Sequence, residues 1–263
     1  MNGLDRFVLA SLLLIACLCS SAASDVGDKP SRTGYFALEF SPQELLGEQG
    51  AAAAADILRS DDNLGWQLFV PEGYDPSKPA GAVVYVSPTP KGGPPSAWRE
   101  SLASKNLIWI GANGAGNRVA VGKRMFLAML APKILERDYR LDPTRIYVAG
   151  FSGGGKAASR VSIASPELFR GGIYISGAEA WGTTTQPPKL ALIQQNRHVF
   201  LTGSDDFNED LTRRVYAAYR NAGVENCELI VVRKMGHELP RSSVFVRAID
   251  YLDSRDFLER VQD

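Results

Sequence analysis

Ser152 stands in Gly150-Phe151-Ser152-Gly153-Gly154, after the apolar run Ile146 to Ala149 and before a helical pattern over Gly154 to Ala164. A serine on a sharp turn between strand and helix is held in a strained backbone conformation with its hydroxyl exposed. Small neighbours then let the two elements approach, and Gly150 and Gly154 fill those places. The start of the following helix aims amides at negative charge that develops beside the serine. The chemistry this suits is nucleophilic attack on an acyl carbon. Gly150 to Lys156 also spell GxxxxGK, a phosphate-cradling loop. However, Ala157 occupies the place where such a loop needs a Ser or Thr hydroxyl for Mg²⁺, so the nucleotide reading is set aside. A turn without function is disfavoured too, because three consecutive glycines opening a helix cost propensity without an evident gain in packing.

A serine hydroxyl needs a base, and the chain has two histidines. His237 lies in Met235-Gly236-His237-Glu238, just past an apolar run ending at Val232, in a loop at the carboxyl edge where open α/β sheets gather their sites. His198 precedes Val199-Phe200-Leu201 at the start of a strand, and is expected to be a partly buried or surface residue. The acid that orients the imidazole is expected in Gly203-Ser204-Asp205-Asp206-Phe207-Asn208. Either Asp205 or Asp206 would serve, and Asp206 with Glu209 also suits the cap of the next helix, so residue type leaves the choice open. The order serine, aspartate, histidine is the order of α/β-hydrolase triads. No HExxH or Cys/His cluster accompanies either histidine, so neither a metal nor another cofactor is expected.

The elements that must position these residues are short β-rich runs alternating with longer helical patterns from Leu64 onward. This predicts a mostly parallel sheet with helices on both faces. Strands are expected at 68–70, 82–86, 107–110, 146–149, 172–175, 199–202 and 229–232, most of them apolar throughout, as strands buried on both faces are. Helices fit 96–104, 119–138 with a kink or break at Pro132, 154–164, 208–222 and a last one from about Ser242. Residues 24–63 are expected to be an extension without chemistry, in which Ala51 to Ala55 form a short helix or a linker. The main domain is expected over 64–263.

Composition bounds the partners. The 263 residues hold 29 Lys+Arg against 29 Asp+Glu, with no basic block, so nucleic acid is not an expected partner. Residues 1–23 read as an export signal, with Arg6, the apolar stretch Phe7 to Leu18 and small residues Ser21-Ala22-Ala23. Leu14-Ile15-Ala16-Cys17 also resembles a lipobox, and a membrane is an expected partner only if Cys17 is acylated. Cleavage at Ala23 would leave Cys227 as the one cysteine, without an internal disulfide.

From about Leu64 to the C-terminus the chain resembles an α/β-hydrolase, and in particular the secreted esterases of the polyhydroxybutyrate-depolymerase-like kind. The resemblance rests on FVPEGYDPSKPAGAVVYVSP, DPTRIYVAGFSGGG, VFLTGSDDFN and MGHELP. It implies the α/β-hydrolase fold and an ester substrate, polymeric or small. It also implies Ser152 as nucleophile, His237 as base, and Asp206 as acid, three residues after Gly203. The family often carries His-Gly at the loop after the third strand, where this chain has Ser87-Pro88. Pro88 has no N–H, so the amide of Thr89 is the expected oxyanion donor beside that of Gly153. Trp181, Asn113 and, less directly, Trp98 and Asn117 are candidates to line a substrate pocket. A peptidase of the same fold and a catalytically silent binding protein are the alternative readings.

Overall fold

A computed structural model describes residues 32–181 and 186–254. The expected export signal and Cys17 lie outside the described residues. Eight strands form one sheet: β1 (Gly34–Phe40), β2 (Leu64–Val70), β3 (Ala80–Val86), β4 (Leu107–Ala112), β5 (Leu141–Phe151), β6 (Gly171–Ile175), β7 (Arg197–Gly203) and β8 (Cys227–Val232). Their spatial order is β1-β2-β4-β3-β5-β6-β7-β8. The pairs β1–β2 and β2–β4 are antiparallel, and every other pair is parallel. The six strands from β3 to β8 therefore end on one edge of the sheet, and the loops that leave them share that edge.

Two apolar layers fix this arrangement. Alternate residues of β3 point to opposite faces. Ala82, Val84 and Val86 join the layer covered by α3 (Val121–Leu135), α4 (Gly153–Ala164), α5 (Leu190–Gln195) and α6 (Glu209–Asn221). Val83 and Tyr85 join the layer covered by α2 (Arg99–Ser104) and α7 (Ser242–Asp253), where the Trp98 and Phe245 rings stack 4.0 Å apart. Burial on both faces explains why these strands read as continuous apolar runs.

Three expectations need correction. Residues 34–53 are part of the same layered unit rather than an extension apart from it. Gly34–Phe40 pairs along its whole length with β2, and Phe36, Leu38 and Phe40 pack on the core at a period of two. Pro42–Ala53 forms α1, opened by a capping box in which Ser41 Oγ accepts the Glu44 N–H (3.2 Å) and Glu44 Oε2 accepts the Ser41 N–H (2.7 Å). The helix α3 runs through Pro132 to Leu135 instead of breaking there. Pro132 falls in its last turn and is itself buried in the apolar layer. His198 is neither a surface nor a partly exposed residue, since it is 0% exposed inside β7.

Candidate active site

The turn from β5 into α4 places Ser152. Its backbone adopts φ 56° and ψ −124°, a left-handed value rare for a side-chain-bearing residue, and its N–H is held by the Ile175 carbonyl of β6 at 2.8 Å. The turn is tight enough to require its glycines. A Cβ on Gly150 would lie 2.3 Å from the Gly154 carbonyl oxygen, and one on Gly154 would lie 2.0 Å from the Val86 carbonyl oxygen. Ser152 thus projects at the carboxyl edge from a strand near the middle of the sheet.

Asp206 and His237 come from the loops after β7 and β8, which are laced together. The Asp205 N–H donates to the Met235 carbonyl (3.0 Å), the Lys234 N–H donates to Ser204 Oγ (2.8 Å), and Gly203 lies so close to the Met235 carbonyl that no Cβ would fit. Across this junction His237 Nδ1 is 2.9 Å from Asp206 Oδ1, and on its other side His237 Nε2 is 2.9 Å from Ser152 Oγ. A carboxylate only accepts, so Nδ1 carries the proton and Nε2 presents its lone pair to the serine hydroxyl. The Asp206 side chain is 0% exposed, and its Oδ1 also accepts the Asn208 N–H at 2.8 Å, which leads the chain into α6. Asp205 is exposed, and its Oδ1 accepts the neighbouring Ser204 hydroxyl. The structure therefore brings Asp206, and not Asp205, to the imidazole.

Two aromatic rings cover His237 that no sequence pattern had singled out. Phe151 lies 4.9 Å from it and Phe207 lies 4.1 Å from it. Phe207 is 77% exposed, so an apolar face stands open beside the imidazole, with Leu239 also exposed nearby in sequence. The signal available for Phe207 was its place directly after Asp206, in a loop that otherwise holds only small and polar residues.

The remaining candidates divide. Gly153 opens α4, where the first amides of a helix have no acceptor within it. The Thr89 N–H already points at Ser87 Oγ, 3.1 Å away within the same loop. Asn113 accepts the Gly92 N–H through Oδ1 (3.1 Å), so it braces the 87–92 loop. Trp181 packs against Tyr219 of α6, 4.7 Å between rings, on the core side. Trp98 is buried, and its Nε1–H donates to the Pro240 carbonyl (3.1 Å), which anchors the loop that carries His237. Asn117 lies against Gly153. Arg124, also missed, is buried in α3 and donates to the Ala115 carbonyl (2.9 Å) and the Ser87 carbonyl (3.0 Å). Its legible sign was an arginine directly before the apolar run Met125 to Pro132. Among the described residues no cluster of His, Cys, Asp and Glu has the makings of a metal site.

The eight-stranded, mostly parallel sheet and the turn that carries Ser152 define an α/β-hydrolase fold. Solved structures share it. A ferulic acid esterase aligns with a TM-score of 0.58 at 16% identity, over 84% of this chain and 100% of its own. An acylaminoacyl peptidase from Pyrococcus horikoshii aligns with a TM-score of 0.55 at 16% identity, over 84% of this chain and 40% of its own. Among curated proteins, a poly(3-hydroxybutyrate) depolymerase from Ralstonia pickettii is 32% identical over 80 residues, which are 30% of this chain and 16% of the depolymerase. The match thus spans a small part of that relative's length. No protein-family model matches the chain.

Proposed function

We propose that this protein is an exported serine hydrolase that cleaves carboxylic esters by acyl transfer. The observation that carries the reading is the chain of two 2.9 Å hydrogen bonds from Asp206 through His237 to Ser152, set on a strained turn at the carboxyl edge. In the reaction Ser152 Oγ attacks the ester carbonyl carbon while its proton passes to His237 Nε2, and Asp206 stabilises the imidazolium that forms. The carbonyl oxygen becomes an oxyanion beside the Gly153 N–H. Collapse of the tetrahedral adduct breaks the bond to the alcohol, which leaves with the proton from His237. Water then gives a proton to His237 and attacks the acyl-serine, which releases the acid and restores the hydroxyl.

The resemblance to ester-cleaving relatives and the apolar Phe207 face support an ester with an apolar substituent. The likeness to an acylaminoacyl peptidase favours a second reading, cleavage of amides by the same residues. The test is a panel of chromogenic esters of graded acyl length, run beside an aminoacyl amide on the purified mature protein, together with labelling of Ser152 by a fluorophosphonate. Ester turnover with labelling at Ser152 is the expected result. Faster amide cleavage would select the peptidase, and absence of labelling would leave a silent fold. Export rests on the N-terminal sequence alone. Mass spectrometry of the exported protein should find a first residue near Ser24, whereas a diacylglyceryl Cys17 would place the enzyme on a membrane surface.

A further inference from the structure

An oxyanion formed on Ser152 needs donors that are in place before the reaction, and one helix amide is a weak provision. The Thr89 amide already has an acceptor in Ser87 Oγ. Asn117 stands in the loop after β4, and its side-chain amide has no such acceptor among the described residues. An ideal Cβ built on Gly153 would lie 2.3 Å from Asn117 Oδ1, 2.8 Å from Cγ and 2.9 Å from Nδ2. The carboxamide, with Oδ1 nearest, therefore rests against the Cα of the residue that follows Ser152 and opens α4, and any side chain at Gly153 would displace it. The Asn117 side chain is exposed and makes no hydrogen bond within the described residues, so its Nδ2 donors are open to a ligand.

Its backbone is anything but loose. The Asn117 N–H donates to the Pro88 carbonyl (2.9 Å), and the Gly114 N–H donates to the Pro90 carbonyl (2.8 Å). The Asn113 side chain holds Gly92, and the buried Arg124 guanidinium ties the Ala115 and Ser87 carbonyls together from behind. The loops after β3 and β4 are thus joined into one wall at the side of Ser152. A donor carried on such a wall has its backbone in place before charge appears, which reduces the reorganisation that a hydrogen bond to the oxyanion requires.

We infer that Asn117 is a catalytic residue whose Nδ2–H₂ donates to the oxyanion alongside the Gly153 N–H. This rests on the serine-hydrolase reading. No covalent step is added: the carboxamide keeps its protons throughout and stabilises the tetrahedral adduct alone. Loss of one such donor lowers kcat by about two to three orders of magnitude.

The test compares wild type, Asn117→Ala and Asn117→Asp on the best ester of the panel, with kcat and KM measured separately, and with affinity for a trifluoromethyl ketone as mimic of the tetrahedral adduct. The expected result for Asn117→Ala is a fall in kcat of about a hundredfold or more with KM within threefold, and a matching loss of ketone affinity. Asn117→Asp should be slower still, because an acceptor and a negative charge replace the donor. Melting temperatures of both should stay at the wild-type value, as expected for an exposed side chain without protein partners. Unchanged kcat in Asn117→Ala, a rise in KM alone, or an Asn117→Asp variant as fast as wild type would each overturn the inference. Fluorophosphonate labelling of Ser152 in the wild type keeps this separate from the underlying reading. Labelling with an unaffected Asn117→Ala defeats only the assignment of Asn117, while an unlabelled wild type defeats the hydrolase reading itself.

Discussion

His237 and His198 carry the same imidazole, and each is bonded through both ring nitrogens. Their surroundings give them opposite chemistry. His198 lies inside β7, where Nδ1 meets the Tyr174 hydroxyl (2.9 Å) and Nε2 meets the Ile193 carbonyl (3.0 Å). A carbonyl only accepts, so Nε2 carries the proton and Nδ1 accepts from Tyr174, which leaves a neutral ring beside those of Tyr174 and Tyr219. Burial pushes its pKa down from 6.5 to about 4, only partly opposed by the bond to Ile193. His237 has a carboxylate on one nitrogen and a hydroxyl on the other, with its ring edge reaching solvent. Two polar bonds make a histidine satisfied in either place. On the proposed reading, what suits His237 rather than His198 to act as a base is the identity of its partners and its access to solvent.

The largest effect that would break this contrast concerns activity. Ser152→Ala and His237→Ala should each lower ester turnover by about four to six orders of magnitude with an unchanged melting temperature. His198→Ala should retain most turnover per folded molecule while costing about 2 to 4 kcal/mol of stability through a cavity and the loss of its bonds to the Tyr174 hydroxyl and the Ile193 carbonyl. Steady-state rates beside thermal melts decide it, and an inactive His198→Ala with native stability would remove the distinction.

Next comes the acid. Asp206→Asn should lower kcat by up to about four orders of magnitude, because an amide no longer stabilises the imidazolium or fixes its tautomer. Asp205→Asn should stay within a few-fold of wild type. A crippled Asp205→Asn beside a fast Asp206→Asn would contradict the geometry.

The third concerns pH and stability. Because the folded-state pKa of His198 lies below its unfolded value, the unfolded chain binds the extra proton between about pH 6.5 and pH 4. Its contribution to stability is full above pH 6.5 and is lost as the pH falls through that window, on the order of 3 kcal/mol in all. Urea melts of wild type and His198→Gln across the window should show a shallower slope in the variant. Parallel curves would mean that His198 does not set it.

The smallest effect sharpens the site side of the comparison. Phe207→Ala should raise KM several-fold for esters with apolar substituents and leave kcat nearly unchanged, in keeping with about 1 kcal/mol for a ring contact. An equal effect on a small polar ester would make the ring a support for His237 rather than a substrate surface.

Much of the molecule was legible along the chain. The strands of the parallel core announced themselves as apolar runs because both faces of the sheet are covered, and Gly150 and Gly154 marked the turn because only glycine fits between β5, α4 and the Val86 carbonyl. Where two local signals shared a residue, the sequence left the matter undecided. Asp206 was a candidate for cap and for acid, and its Oδ1 in fact accepts both the Asn208 N–H and the His237 imidazole. Asp205 and Asp206 have the same chemistry one residue apart, and only the lacing of the two loops turns one inward and leaves the other exposed. The strand β1 escaped notice because its period-two pattern is short and its partner β2 lies beyond an intervening helix.

Residue types and their local periods therefore determined the elements, the turn that holds Ser152 and the preference for His237 over His198 as candidate base, since each depends on neighbours a few positions away. The tertiary structure alone decided which aspartate meets His237, that Phe207 stands open beside it, that Trp98 anchors its loop, and that Asn117 reaches Gly153 from another strand's loop. Those contacts join residues 31 to 142 positions apart or lie on loops without a period, and they exist only once the strands have brought their ends to one edge.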